Sequence, residues 1–163
     1  AEVLLLLAEE RHRSLFIEAA GRDPDDAGMR VVCGRTRTGL TASDVALAAS
    51  GTVTLEALLV RTPLVVFYRL AGSTYQLARA LRLVKTRWIS LPNVLAGDGL
   101  VPERIQHEAT ADRLVDDARA WLDEPQRRER YERVAADIHR RLARGAATNA
   151  AEAILRELKY VKS

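Results

Sequence analysis

Six consecutive residues, PLVVFY (Pro63–Tyr68), run apolar with no polar position among them. A strand with one wet face alternates apolar and polar residues. A strand covered on both faces does not, and two-sided burial belongs to parallel sheets flanked by helices. The stretch before it points the same way. In DVALAASGTVTLEALL (Asp44–Leu59), VALAAS reads as a strand and LEALL as a helix, with Ser50-Gly51-Thr52 at the joint. Strand, helix and second apolar strand make a βαβ unit, the building block of a parallel sheet.

The rest of the first hundred residues extends this alternation. Ala1–Arg11 reads as a helix packed through Val3, Leu4, Leu7 and Ala8. SLFIEAA (Ser14–Ala20) reads as a short strand, GRDPDDAG as a loop or single turn, and MRVVCG (Met29–Gly34) as a second strand. STYQLARALRL (Ser73–Leu83) reads as a helix and RWISLPN as a short strand stopped by Pro92. From Pro102 onward everything reads helical. ADRLVDDARAWL puts Leu114, Val115, Ala118, Trp121 and Leu122 on one stripe; the next helix does so with Tyr131, Val134, Ala135, Ile138 and Leu142. NAAEAILREL opens on a capping-box pattern, Asn149 with Glu152, and carries Ile154, Leu155 and Leu158 on its apolar face.

The expected fold class is therefore α/β: a Rossmann-like, doubly wound parallel sheet with a helical C-terminal tail. It forms one domain over residues 1–163, α/β to about residue 100 and helical from about 102 to 160. The tail must bury its stripes on an edge of the sheet, on another domain or on another subunit. No internal repeat or low-complexity linker interrupts the chain.

Several function classes fall away. Charged residues make up 29%, yet the net charge is only +3, and the arginines sit on helices among Glu and Asp. That describes solvated, paired faces and argues against nucleic-acid binding. His12, His107 and His139 match no metal-ligand spacing. The lone Cys33 cannot form an intrachain disulfide, which points to a reducing, intracellular compartment, and it reads as a buried strand residue. VLLLLA is too short to span a bilayer and lacks the flanks of a secretion signal. The chain begins at Ala1 inside an apparent helix with no cap before it, so a fragment is expected.

The joint at residues 50–52 carries the chemistry. In an open parallel sheet, ligands sit beyond the carboxyl ends of the strands. The helix that starts there offers unpaired amides and the positive end of its dipole. Gly51 lets an anion approach the backbone, and Ser50 and Thr52 add hydroxyls; together these make a phosphate site. Glu56, one turn in, leans back toward the same ligand. A carboxylate suits a diol rather than a phosphate. The set describes a nucleoside diphosphate with its ribose on Glu56. The same residues also suit a plain helix start, since Ser and Thr cap helices and an early Glu complements the dipole.

A longer stretch is more specific. ASDVALAASGTVTLEALLVRTPLVVFYR (Ala42–Arg69), RLVKTRWISLPNVLAG (Arg82–Gly97), VPERIQHEAT and TNAAEAILREL together resemble lipid-A-disaccharide synthase. The resemblance covers roughly three quarters of the chain, from about Leu40 to Leu158. It implies one half of a GT-B glycosyltransferase, the C-terminal half that binds the donor nucleotide. Implied substrates are UDP-2,3-diacylglucosamine and lipid X (2,3-diacylglucosamine 1-phosphate), joined with inversion and release of UDP. Neither a cofactor nor a metal is implied. The implied location is cytoplasmic, peripheral at the inner face of the inner membrane of Gram-negative bacteria. Homodimers through exchanged C-terminal segments are implied as well.

Carried over by residue, the resemblance puts the diphosphate on Ser50, Gly51 and Thr52 and the ribose on Glu56. It turns Asn93 toward the donor side, and sets Tyr68 and Arg69 at the same rim, with the arginine offsetting leaving-group charge. The loop CGRT (Cys33–Thr36) would frame the base. Two departures stand out. The family's Gly-Ser-Arg loop and the strand before it are expected to be missing, ahead of a helix at Ala1. The N-terminal half, with the family's proposed aspartate base and most of the acceptor site, is expected to be missing too, so no catalytic residue is assigned. The segment ARALRLVKT is also slightly longer than in the family. Two other readings stay open: a half of another UDP-sugar enzyme of this fold, such as an epimerase, and a non-catalytic fragment whose tail mediates subunit association.

Overall fold

The structure, a computed structural model, describes residues 2–69, 87–143, 145 and 150–156. It opens with a strand, β1 (Val3–Leu7), followed by helix α1 (His12–Ala20). Both assignments reverse the sequence expectation of a helix over Ala1–Arg11 and a strand over Ser14–Ala20. The reason for the first is strand pairing rather than burial on both faces, since Val3 is exposed and Leu4–Leu6 are only half-buried. Five unbroken apolar residues pair in parallel with β2 (Met29–Cys33), Val3 against Met29 through Leu7 against Cys33. The second turns on Gly21, which closes α1 in the left-handed conformation (φ 68°) and donates its amide to the Ile17 carbonyl. That is a glycine helix cap, a stop signal for the helix before it. Arg13 of α1 donates to Asp23 and Asp25, both at 2.6 Å, and so ties down the loop over Gly21–Gly28.

The second sheet carries the core. β3 (Ala46–Ala49) pairs in parallel with β4 (Leu64–Tyr68), which pairs in parallel with β5 (Glu103–Ile105). β5 lies within the region expected to be wholly helical, a correction to that boundary. It is three residues long, and ladder bonds to β4 decide it rather than any periodicity of its own. Between these strands run α2 (Thr36–Thr41) and α3 (Thr52–Leu59). Leu64, Val65 and Val66 of β4 are wholly buried, as an unalternating central strand requires.

A short helix, α4 (Leu91–Ala96), replaces the strand expected over Arg87–Pro92. Pro92 lies in its first turn, where a missing N–H costs nothing because that amide has no partner in any helix. The helix expected over Ser73–Leu83 lies outside the described residues.

The tail closes over the sheet of its own chain. α5 (Ala111–Asp123) and α6 (Pro125–Leu142) bury Trp121, Tyr131, Ala135 and Ile138 against β4 and α3. The Trp121 indole donates to the Leu64 carbonyl at 3.1 Å, and the Tyr131 hydroxyl donates to the Thr62 carbonyl at 2.8 Å. Their rings meet edge to face at 5.4 Å. On α5 the buried stripe is rotated from the expected one. Asp117 is buried, while Val115 and Leu122 are exposed. The cause is Arg104 of β5, whose guanidinium grips Asp117 through two bonds of 2.6 and 2.7 Å. Leu142 of α6 is likewise exposed, and Ile154 and Leu155 in the helical stretch 150–156 are more than half exposed.

Candidate functional site

The carboxyl ends of β3 and β4 lie side by side, Ala49 against Phe67, and the Ser50 amide donates to the Phe67 carbonyl. This pairing brings Ser50, Gly51 and Thr52 to the same sheet edge as Tyr68 and Arg69. α3 starts there with Gly51 as its N-cap at φ 149°, ψ −167°, a region that only glycine occupies freely. A Cβ on Gly51 would meet no atom within 4 Å, so backbone conformation and not crowding demands glycine. Among the described residues no backbone acceptor takes the amides of Gly51, Thr52 or Val53. Thr54, which sequence reading passed over, is wholly buried and donates its hydroxyl to the Gly51 carbonyl at 2.7 Å, tightening the first turn.

The other expected site residues fall into two groups. Thr52 and Glu56 are exposed, and the Glu56 carboxylate has no hydrogen-bond or ion-pair partner among the described residues. Tyr68 is exposed at the rim, and the Arg69 Nε donates to the Gln106 carbonyl at 3.2 Å. Ser50 is different, because its hydroxyl donates to the Ile89 carbonyl at 3.3 Å. Its one proton is thus engaged, and the amides of the tip and the exposed Thr52 hydroxyl are the anion donors that remain. Asn93 departs furthest from expectation. It is wholly buried rather than turned to a ligand. Its amide nitrogen donates to the Val101 carbonyl and to Glu103, and its oxygen accepts from the Val101 amide.

Glu103 is the residue sequence reasoning missed. Its carboxylate accepts from the amides of Ile89 and Ser90, the Ser90 hydroxyl and the Asn93 side chain, at 2.6–3.0 Å. No local signal announces it, because all four donors come from another element. The CGRT loop sits at the carboxyl end of β2, with Gly34 at φ 64° and its amide on the Leu7 carbonyl. Cys33 is half-buried rather than buried. Burial first, and a hydrogen bond with Glu10 second, push its thiol above the ordinary range, away from nucleophile chemistry.

A family model described as lipid-A-disaccharide synthetase matches residues 1–158. The chain belongs to this family. A lipid-A-disaccharide synthase from Chromohalobacter salexigens is 45% identical over 121 residues, 74% of this chain and 31% of the relative. The synthase from Cellvibrio japonicus is 41% identical over 150 residues, 92% of this chain and 38% of the relative. The one from Thiobacillus denitrificans is 44% identical over 129 residues, 79% and 34% of the two chains. The chain thus spans about a third of the length of the lipid-A-disaccharide synthases it matches. One departure from the family is corrected. A strand and a loop do precede the first helix, namely β1 and Ala8–Arg11, although the loop reads Ala-Glu-Glu-Arg and not Gly-Ser-Arg. No helix among the described residues is long and apolar enough to cross a membrane.

Proposed function

We propose that this chain binds the nucleotide-sugar donor of a lipid-A-disaccharide synthase, a glycosyltransferase of lipid A biosynthesis. The donor is UDP-2,3-diacylglucosamine and the acceptor lipid X. The observation that carries this reading is the tip of α3, where three amides have no backbone acceptor among the described residues at a bend that only glycine occupies freely. The positive end of the helix adds to their field. The diphosphate lies across Gly51, Thr52 and Val53, and Glu56 accepts from the ribose hydroxyls.

Transfer is an inverting displacement. The acceptor 6-hydroxyl attacks the anomeric carbon, and the bond to the diphosphate oxygen breaks as UDP departs. The tip amides take up the charge that grows on that oxygen, with Arg69 at the same rim contributing its positive field. The chain thereby orients the donor and stabilises the leaving group; the base that takes the acceptor proton lies outside it. The lipid character of both substrates supports work at a membrane surface, which we take to be the inner face of the cytoplasmic membrane. The exposed Ile154 and Leu155 support pairing of two chains through the tail.

Titration of UDP into the chain tests the site. Replacing Glu56 with Ala removes the diol acceptor and is expected to weaken binding by about 1–3 kcal/mol. Equal affinities would take Glu56 out of the site. A helix start with no nucleotide role predicts no UDP binding by either protein.

A further inference from the structure

Glu103 opens β5, at a distance in sequence of ten to fourteen residues from every group it binds in the Ile89–Asn93 segment. Its Oε1 accepts from the Ser90 hydroxyl (2.6 Å), the Ser90 amide (2.9 Å) and the Asn93 Nδ2 (2.8 Å); its Oε2 accepts from the Ile89 amide (3.0 Å). Among side chains only a carboxylate offers enough lone pairs, and no donor of its own, to take four donors at once. Ser90 and Asn93 are wholly buried, so the segment cannot trade these bonds for water.

The same segment touches the tip of α3. Ile89 gives its amide to Glu103, and its carbonyl accepts the Ser50 hydroxyl. The Ser50 amide is held from the other side by Phe67. Ser50 therefore sits between β4 and a segment whose position Glu103 sets, and Gly51 follows directly. We propose that Glu103 is a positioning residue: acting through Ile89 and Ser50, it sets the geometry of the amides at the tip of α3. Its consequence for nucleotide affinity rests on the donor-binding reading above, whereas its hold on the tip does not.

Glu103→Gln tests it, since the amide presents donors to donors. In the 15N-labelled chain, the amide resonances of Gly51, Thr52 and Val53 are expected to shift without ligand. UDP is expected to bind about tenfold more weakly. Combining Glu103→Gln with Ser50→Ala should weaken binding little beyond the worse single variant, because both cut one relay. Tip resonances that stay in place overturn the proposal, whatever UDP does. Additive losses overturn the route through Ser50. If the tip resonances move but the wild-type chain binds no UDP, the donor-binding reading fails while the hold of Glu103 on the tip is supported. Should Glu103→Gln fail to fold, as judged by circular dichroism melting, Ser90→Ala carries the same readouts. It deletes the shortest of the four bonds and leaves the carboxylate three donors.

Discussion

Gly51 adopts a backbone conformation closed to residues bearing a Cβ, and it does so in open space. The cost of Gly51→Ala is therefore torsional, about 1–3 kcal/mol of stability, with no clash to relieve. Urea unfolding should show that loss, and UDP titration should show weaker binding because the relaxed bend re-aims the tip amides. An alanine variant of unchanged stability would mean that the bend is not held as described. The residues at this edge divide by what engages them. Thr52 and Glu56 face solvent, while Ser50, Thr54 and Asn93 spend their polar groups inside the protein. Residue type alone could not separate these groups, because a serine at a helix start has the same letter whether its proton goes to a ligand or to Ile89.

At the scale of elements, the Arg104–Asp117 pair decides how α5 lies on the sheet. Its two short bonds join β5 to the helix, and the pairing raises the Arg104 pKa further. Asp117→Ala would leave a guanidinium with no partner in a partly exposed place. The expected loss is about 1–2 kcal/mol, less than the 3–5 of a fully buried pair, because water still reaches Arg104. The loss should respond little to salt, unlike that of a surface pair, when thermal melts are compared at low and high ionic strength. The same elements explain where periodicity misled. β1 departed from its expected type because a run of leucines suits a helix by propensity yet also pairs in a parallel ladder. Only the ladder to β2 settles it. β5 is too short for any period to register.

On the scale of the whole molecule, the tail is part of the domain it follows. Trp121 and Tyr131 reach back 57 and 69 residues to backbone carbonyls beside and within β4. Burial pushes the Tyr131 phenol well above the ordinary tyrosine value. The unfolded chain releases that proton near the usual pH of about 10, and the folded chain holds it to higher pH. The contribution is therefore complete below about pH 10 and is lost as pH rises through the folded value. Urea melts at about pH 9 and 11 should show a fall in stability that is shallower in Tyr131→Phe. An identical slope in both proteins would exclude this tyrosine as a cause. On the proposed division of labour, in which the base is supplied from outside these residues, the chain by itself is expected to release no UDP from UDP-2,3-diacylglucosamine and lipid X. Turnover by the purified chain in a UDP-release assay would refute the division of labour between the halves.

The sequence by itself determined the class of fold and the family, and it singled out the joint at Ser50-Gly51-Thr52 as the candidate site. PLVVFY had to be a covered parallel strand, and Ser50-Gly51-Thr52 had to end a strand and begin a helix, because these are properties of contiguous residues. Only the tertiary structure decided that Asn93 is internal, that Asp117 turns inward and that Glu103 gathers the Ile89–Asn93 segment. Each depends on donors and acceptors eight to fourteen residues apart that belong to different segments, and their pairing becomes definite once the sheet has brought them together and excluded water.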